Sequence, residues 1–226
     1  MHLPISDKIE LNILHQNSHQ AEKNKIKFNN YNLLCLNIMS SPGAGKTRLL
    51  EITLEDLSKK FHSAVLEGDM TTNLDAARLE KLNIPVVPIT TGRACHLDAN
   101  MVSGGLKLLE KKINPDLLDI LLVENVGNLV CPAEFEIGEH FKVALLSITE
   151  GEDKPLKYPI MFREADLILI TKVDLLPHLN FDINELKSNI ASTNPKADVI
   201  EISSITKFGF DLWQDWISKK ILKFKN

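Results

Sequence analysis

Residues 40–47 read Ser-Ser-Pro-Gly-Ala-Gly-Lys-Thr, and they directly follow an apolar run over residues 33–39. Apart from its first position, the stretch matches the pattern G-x-x-x-x-G-K-[ST], in which glycines let the backbone curl around phosphate oxygens. A helix that starts at such a loop adds its positive N-terminus to the phosphate site. The stretch therefore predicts a strand, a phosphate-binding loop (P-loop) and a helix, in that order.

Two side chains of this P-loop have expected roles in nucleotide binding. Lys46 should reach the β- and γ-phosphates, and the Thr47 hydroxyl should bind Mg²⁺. Ser40 stands where glycine is usual, and a small residue is acceptable there if its φ is negative. The alternative, a glycine-rich turn without a ligand, does not explain why strand, loop and helix fall in this order. The predicted nucleotide contacts are Gly43, Ala44, Gly45, Lys46, Thr47 and Arg48.

Short apolar runs alternate with longer helical stretches over the rest of the chain. Most of the runs lack period-two alternation, as expected for strands that are buried on both faces of a sheet. The pattern predicts an α/β fold, with a mostly parallel sheet and helices on both faces. The predicted strands lie at 33–39, 64–66, 86–89, 120–123, 143–148, 167–170 and 199–202. The predicted helices lie at 46–60, 73–82, 97–112, 156–165, 183–192 and 209–224.

The length and composition fit one domain with a short appendage. The chain has 226 residues, 44% of them hydrophobic, which is enough to bury a sizeable core. We expect residues 31–226 to form this domain. Residues 1–30 are polar and are expected to form an N-terminal arm that contains at most a weakly amphipathic helix.

The bulk numbers also bear on partners and location. A formal net charge of −4 gives no basic excess for nucleic-acid binding. Only three cysteines occur, and this odd, sparse count argues against a disulfide framework and for a reducing compartment. There is no apolar run of roughly 20 residues, and Met1–Pro4 do not begin a signal peptide. A cytoplasmic protein without a membrane anchor is expected.

Two carboxylates end predicted strands that lead toward the phosphate site. Asp69 closes the second strand and Glu124 closes the fourth. An apolar strand that ends in an acid fits a Walker B element, whose carboxylate holds Mg²⁺ or its bound water. Gly127 resembles the glycine that senses the γ-phosphate, whereas the alternative for Asp69 is a cap for the helix near Asn73. The predicted catalytic residues are Lys46, Asp69 and Glu124, and the predicted Mg²⁺ ligands are Thr47, Asp69 and Glu124.

The sixth predicted strand ends in a sequence that indicates guanine binding. Thr171, Lys172 and Asp174 occupy the positions of the N-K-x-D signature, with threonine in place of asparagine. The Asp174 carboxylate can accept hydrogen bonds from guanine N1–H and the 2-amino group, which adenine does not offer in that arrangement. The Lys172 stem can pack over the base, and Ser203-Ser204 can form a loop over guanine O6. The alternative is an ATP-dependent small-molecule kinase of related topology.

Sulfur and imidazole donors occur in two loops that follow predicted strands. Cys95 and His96 precede a long helix, and Cys131 follows the fourth strand. Both loops leave the carboxyl edge of the sheet, where such folds bind ligands, and these donors suit Ni²⁺ or Zn²⁺. Asp98 either supports His96 or caps the helix. The alternative for each cysteine is a buried thiol, which is our interpretation of Cys35.

The chain resembles the HypB family, the nickel-inserting GTPases of [NiFe] hydrogenase maturation, in which Ser at position 40 also looks usual. The resemblance implies a SIMIBI-type P-loop GTPase with slow turnover, a GTP-promoted homodimer, and Ni²⁺ or Zn²⁺ at Cys95, His96 and Cys131. It also implies delivery to the hydrogenase large subunit with a nickel-binding partner chaperone. The matching stretches are SSPGAGKT (40–47), EGDMTTNLDAARL (67–79), TTGRACHLDANMV (90–102), LLVENVGNLVCPAEFEIGE (121–139) and TEGEDKPLKYPIMFREADLILITKVDLLP (149–177).

Some features depart from this family or leave alternatives. No cysteine occurs before Cys35, and the early histidines are scattered, so the N-terminal cysteine motif and the His-rich tract of many members are missing. The related urease GTPases carry Cys-Pro-His, whereas Cys131-Pro132 is followed here by Ala133. We expect GTP to pull residues 124–131 toward its γ-phosphate and to assemble a dimer, in which two Cys/His/Cys sets complete the metal site. The rival is a metal-binding adaptor with a vestigial nucleotide site.

Overall fold

The computed structural model describes the backbone of residues 5–226 and the side chains of residues 12–226. The sequence prediction about Met1–Pro4 lies outside the described residues. Seven strands form one sheet. They are β1 (Leu34–Ser40), β2 (Ser63–Asp69), β3 (Val86–Thr90), β4 (Ile120–Glu124), β5 (Phe141–Ser147), β6 (Leu167–Thr171) and β7 (Asp198–Ile202).

The α-helices of the described chain cover both faces of this sheet. They are α1 (Ile5–Asn30), α2 (Lys46–Leu57), α3 (Leu74–Glu80), α4 (Ala99–Lys112), α5 (Cys131–Glu134), α6 (Lys154–Lys157), α7 (Pro159–Arg163), α8 (Ile183–Thr193) and α9 (Phe210–Lys225). Helices α2, α3 and α9 pack on one face. Helices α1 and α4 cover one half of the other face, and α5, α7 and α8 cover its second half.

All strand pairs are parallel, in the order β3-β2-β4-β1-β5-β6-β7. This arrangement confirms the predicted α/β class. Strand β1 lies in the middle of the sheet, so the loop that follows it opens between the carboxyl ends of β4 and β5. Because the carboxyl ends of parallel strands share one edge, the loops after β2, β3, β4 and β6 lie at the same edge of the sheet as the P-loop.

Two segments differ from the simple sequence pattern. The stretch predicted as one helix over 156–165 is split into α6 and α7 at Tyr158, whose φ of −124° and ψ of 56° are not helical. Pro159 follows Tyr158, and the residue before a proline is disfavoured in the α region for steric reasons. The N-terminal arm is helical over Ile5–Asn30, and Phe28 of this helix is fully buried in the core.

Cys35 in β1 is fully buried, in agreement with its interpretation as a core thiol. Burial also raises its pKa well above the usual range of a thiol. Within residues 5–226, no helix combines the length and the apolar character that crossing a membrane requires.

Candidate nucleotide and metal site

The P-loop has the backbone shape that its glycines predict. Gly43 has a φ of +75° and Gly45 a φ of +101°, which are left-handed conformations that side chains disfavour. Helix α2 begins directly after Gly45 at Lys46, so the helix N-terminus points into the loop. A pocket of about 420 Å³ opens there, and its walls come from the P-loop and from the ends of β2 and β4.

Ser40, the departure from the usual P-loop glycine, has a defined contact. Its buried hydroxyl donates to the Ser41 carbonyl at 2.6 Å and accepts from Lys46 Nζ at 2.9 Å. Burial of Lys46 lowers the pKa of its ammonium group, while nearby carboxylates, Glu124 first, oppose the shift. The hydroxyl at position 40 therefore fixes the Lys46 ammonium group beside the P-loop backbone.

Glu124 lies beside the predicted Mg²⁺-binding threonine. The Thr47 hydroxyl donates to Glu124 Oε1 at 2.7 Å. The other oxygen, Glu124 Oε2, is buried and has no hydrogen-bond partner within residues 12–226. Burial raises the pKa of this carboxyl to about 7, against the lowering effects of Lys46 and Thr47. Such a group is suited to a cation that compensates its charge.

Glu67 is a second buried carboxylate at this site, and no local sequence pattern marks it as a site residue. It lies opposite Glu124 in the β2–β4 register, and both residues line the pocket. Its Oε2 is likewise buried without a partner in the described part of the chain. Burial and the charge of Glu124 raise its pKa to about 8. Oxygen donors and excess negative charge at one pocket fit Mg²⁺.

Asp69 also lines the pocket, but its carboxylate binds its own loop. It accepts from the backbone N–H of Met70 at 2.6 Å and of Thr72 at 3.1 Å, and from the Thr72 hydroxyl. These hydrogen bonds, that of the Thr72 hydroxyl first, lower the pKa of Asp69. The N-cap position of α3 is Asn73, so the helix-cap alternative for Asp69 is wrong. Its predicted role at Mg²⁺ stays a prediction.

Gly127 brings the segment after β4 against the P-loop. A Cβ atom at this position would lie 2.8 Å from Pro42 Cα and 2.9 Å from Pro42 N. Only glycine allows this approach without displacing the P-loop backbone. Arg48 lines the same pocket and pairs with Glu51 at 3.0 Å.

The predicted base-binding residues lie together at the ends of β6 and β7. The Thr171 hydroxyl donates to the Ala44 carbonyl at 2.8 Å, which ties β6 to the P-loop. Lys172 has a φ of +62°, and Ser203 Oγ donates to Asp174 Oδ1 at 2.6 Å. The same Ser203 oxygen accepts from two backbone N–H groups of the following loop. Ser204 is the next residue of that loop, and its side chain makes no hydrogen bond among residues 12–226.

Cys95, His96 and Cys131 converge, although they come from two separate loops. Their donor atoms lie within 4.8 Å of one another, and the two Sγ atoms are 3.3 Å apart. His96 Nδ1 is buried and unpartnered among the residues that the structure describes, and its ring lies 4.1 Å from the Phe135 ring. Burial lowers the pKa of His96, which favours the neutral imidazole that binds metal ions.

The surroundings of Cys131 favour the protonated form of its thiol. Burial and the neighbouring Cys95 raise its pKa to about 11. A thiol gives up its proton when it binds a metal ion, so a cation placed between the two sulfurs would replace the proton. The donor set, two sulfurs and one imidazole, suits Ni²⁺ or Zn²⁺.

Two side chains fix the loop that carries Cys95 and His96. Asp98 caps α4, since its carboxylate accepts from Met101 N at 2.7 Å; this supports the cap over a role beside His96. Asn125, the residue after β4, is fully buried and accepts from Leu97 N at 2.9 Å. Asn125 therefore joins the loop of the metal donors to the end of the strand that carries Glu124.

Comparison with known proteins gives the class first. A model of the CobW/HypB/UreG nucleotide-binding domain matches residues 34–201. The 54-kDa signal recognition particle protein of Aeropyrum pernix shares the fold, with a TM-score of 0.54 at 11% identity over 76% of this chain and 41% of that one. The fold and the phosphate site therefore define a SIMIBI-type P-loop protein.

Closer relatives give the family. Hydrogenase maturation factor HypB of Azotobacter vinelandii is 48% identical over 214 residues, which cover 94% of this chain and 69% of that protein. The crystal structure of HypB from Helicobacter pylori in complex with nickel has a TM-score of 0.88 at 39% identity, over 92% of this chain and 96% of that one. The chain belongs to the HypB family, which confirms the resemblance seen in its motifs.

Proposed function

We propose that this chain is a GTP-hydrolysing metallochaperone that binds nickel and delivers it during [NiFe] hydrogenase maturation. One observation carries the proposal: a single short segment serves both sites. Glu124 is hydrogen-bonded to the P-loop residue Thr47, and Cys131, seven residues later, lies 3.3 Å from Cys95 in Sγ–Sγ distance. A change at the γ-phosphate can therefore reach a metal donor through one continuous piece of backbone.

The nucleotide of this proposal is GTP. Asp174, which follows β6, is held by a hydrogen bond from Ser203, which follows β7. A carboxylate fixed in this position pairs with the N1–H and 2-amino groups of guanine. Thr171 links this region to the P-loop backbone, so base and phosphate are bound by one rigid unit. When bound, Mg²⁺ would neutralise phosphate charge. The residues that would hold it directly or through water are Thr47, Glu124, Asp69 and Glu67.

Nickel is the cargo of the protein rather than part of its catalytic machinery. The donors Cys95, His96 and Cys131 are half-buried, and their donor atoms lie within 4.8 Å of one another. One copy supplies three donors, so a GTP-promoted homodimer that brings two sets together would complete the coordination. The HypB of Helicobacter pylori was crystallised in complex with nickel, which supports Ni²⁺ as cargo, and Zn²⁺ can occupy the same donors.

The proposed cycle uses the segment 124–131 as the moving part. With GTP bound, Gly127 stays against Pro42 and the segment holds Cys131 beside Cys95. Hydrolysis, expected to be slow, removes the γ-phosphate, relaxes the segment and releases nickel to the next carrier. That carrier would be a nickel-binding partner chaperone in the cytoplasm, which leads to the hydrogenase large subunit; the relatives named hydrogenase maturation factor support this assignment.

Nickel affinity in two nucleotide states tests the proposal. We expect the affinity of the parent protein to differ about tenfold between GDP and a non-hydrolysable GTP analogue, within the usual range of coupling between sites. Titration with Ni²⁺ and a competing chelator would measure it. Equal affinity and stoichiometry in both states would contradict the switch.

The Asn125→Ala variant sharpens this test. Asn125 Oδ1 accepts from Leu97 N at 2.9 Å, and Asn125 Nδ2 donates to Asn37 Oδ1 at 3.1 Å. Removal of this amide separates the loop of Cys95 from the strand end of Glu124, so the tenfold difference should shrink toward one. The matched control is Asn100→Ala at the start of α4, an exposed asparagine that should keep the difference.

A further inference from the structure

Helix α1 lies across the two segments that carry the metal donors. Asn17 of this helix accepts from the backbone N–H of Ala99 at 2.9 Å through Oδ1, and its Nδ2 donates to the Glu136 carbonyl at 2.8 Å. Ala99 follows His96 by three residues, and Glu136 follows Cys131 by five. One side chain therefore bridges the loop of Cys95 and His96 to the segment of Cys131.

Asn24 makes a similar bridge about two helical turns later. Its Nδ2 group donates to the Ala99 carbonyl at 2.7 Å and to the Ile137 carbonyl at 3.0 Å. Gln20, on the preceding turn, donates to Asn24 Oδ1 at 2.9 Å and thereby fixes the orientation of the amide. Both ends of this bridge are backbone atoms, so it constrains where the two segments run rather than how particular side chains pack.

The two asparagines are buried more deeply than simple helix packing requires. Asn17 is 5% exposed and Asn24 is 2% exposed, although burial of an amide is unfavourable unless its hydrogen bonds are made. Ala21 and Phe28 on the same helix face already provide apolar packing. The amides therefore add position-specific contacts to an interface that apolar residues could have formed.

The loop after α5 is shaped to receive the helix. Gly138 has a φ of +94°, and a Cβ atom there would lie 2.5 Å from the Ala21 carbonyl oxygen and 2.7 Å from Asn24 Cβ. The backbone of residues 136–138 thus touches α1 directly, which leaves little freedom for the Cys131 segment to move away from the helix.

We propose that Asn17 and Asn24 are positioning residues that hold the Cys95–His96 loop and the Cys131 segment at the separation needed to bind a metal ion. This inference rests on the proposed function, since it names the element that sets the geometry of the same metal site. Without the two bridges, Ala99 and Ile137 lose their shared partners, and the 3.3 Å approach of the sulfurs is no longer held from this side. The two asparagines make no hydrogen bond to the P-loop or the base-binding residues, so the effect is specific to the metal site.

The test uses the full chain with Asn17→Ala, Asn24→Ala and both together. Ni²⁺ affinity, followed by the sulfur-to-nickel absorption, should fall about tenfold, as for other residues that orient metal ligands, whereas GDP affinity should not change. The matched control is Asn12→Ala, an asparagine on the exposed face of the same helix, which should bind nickel like the parent. Unchanged nickel affinity in the double variant, or a parallel loss of GDP affinity, would overturn the proposal.

A second measurement does not need nickel. Diamide, which takes up two electrons and two protons from two thiols, should link Cys95 to Cys131 rapidly in the parent because their sulfurs are adjacent. The disulfide, identified by peptide mass spectrometry, should form severalfold more slowly in the double variant than in the Asn12→Ala control. Equal rates would overturn the proposal that Asn17 and Asn24 set the separation of the two segments. If the parent bound no nickel, the proposed function would fail, and the disulfide rates would still decide whether α1 sets the geometry.

Discussion

The P-loop and the metal site of Cys95, His96 and Cys131 lie at the same edge of the sheet, but different kinds of contact hold them in place. The P-loop is one continuous stretch, residues 40–47. Its shape follows from two glycines in the left-handed backbone conformation and from the helix that starts at Lys46. The metal site takes its donors from two loops. Asparagines of a third segment, helix α1, bridge these two loops through their backbone atoms.

This difference predicts how each site responds to change. A substitution in the P-loop should change the nucleotide site locally, because the conformation of the loop is determined by its own backbone and by few neighbours. The geometry of the metal site depends on the buried side-chain amides of Asn17, Asn24 and Asn125, which are not themselves among the metal donors. A substitution in one of the two sites should therefore change the function of that site alone. Substitutions in the residues between Glu124 and Cys131, which connect the sites, should change both nucleotide hydrolysis and metal binding.

The largest expected effect comes from Lys46→Ala. Removal of the ammonium group that we expect to contact the transferred phosphate should lower GTP hydrolysis about 100-fold or more, while nickel affinity in the GDP state stays the same. Phosphate release assays and nickel titration would measure the two properties. Lys60→Ala, which changes an exposed lysine beyond α2, is the control. Hydrogenase maturation that survived Lys46→Ala in cells would favour the adaptor alternative.

A smaller effect is expected from Cys131→Ala, which tests the other side of the comparison. Loss of one of three donors should weaken nickel binding about 10- to 100-fold, and GTP hydrolysis should continue at the parental rate. Cys35→Ala is the matched cysteine control, since Cys35 is buried in the core away from the cluster. It should lower the thermal stability without changing nickel affinity; an equal loss of nickel in both variants would contradict the site.

The smallest effect is expected from Glu67→Gln and concerns stability against pH. The folded-state pKa of Glu67 is raised to about 8, so ionisation of this carboxyl disfavours the folded, nucleotide-free protein as pH rises from its unfolded pKa toward 8. Glutamine removes that penalty. The variant should match the parent near pH 4.5 and exceed it by about 1–2 kcal/mol above pH 8, a moderate fraction of the full linkage.

Urea unfolding of the nucleotide-free protein across this pH range would measure the difference. Glu55→Gln on the exposed side of α2 provides the control, and it should give no pH-dependent gain. A gain for Glu67→Gln that was constant with pH would show that the effect comes from packing rather than from ionisation.

The sequence predicted the features that depend on neighbouring residues. The seven strands, the P-loop and the carboxylate at the end of β4 come from local patterns, and the structure has all of them. Two sites where local evidence was available were still misjudged or left open. The break at Tyr158 is signalled by Pro159, and the cap role of Asp98 is signalled by its position one residue before a helix.

What the sequence could not give depends on contacts between distant segments. Glu67 is part of the phosphate pocket because β2 pairs with β4, and the order of strands in a sheet is not written in any local pattern. Asn17 and Asn24 stand in a polar stretch that looks solvent-exposed, and only the fold shows that they are buried. Asp69 was expected at Mg²⁺, but its preference for the N–H groups of its own loop depends on the path of residues 70–72.

The position of α1 ahead of the segments that it joins has a consequence for the order in which the protein is made. Asn17 precedes its partner residues by 82 and 119 positions, so the helix leaves the ribosome long before the segments that it joins. Cys95 and His96 also emerge well ahead of Cys131, and chains are synthesised at only about 5–20 residues per second. A growing chain therefore exposes the sulfur and imidazole of the first loop for seconds, and the donor geometry that we propose for metal binding can form only after residue 137 has emerged and packed against the helix.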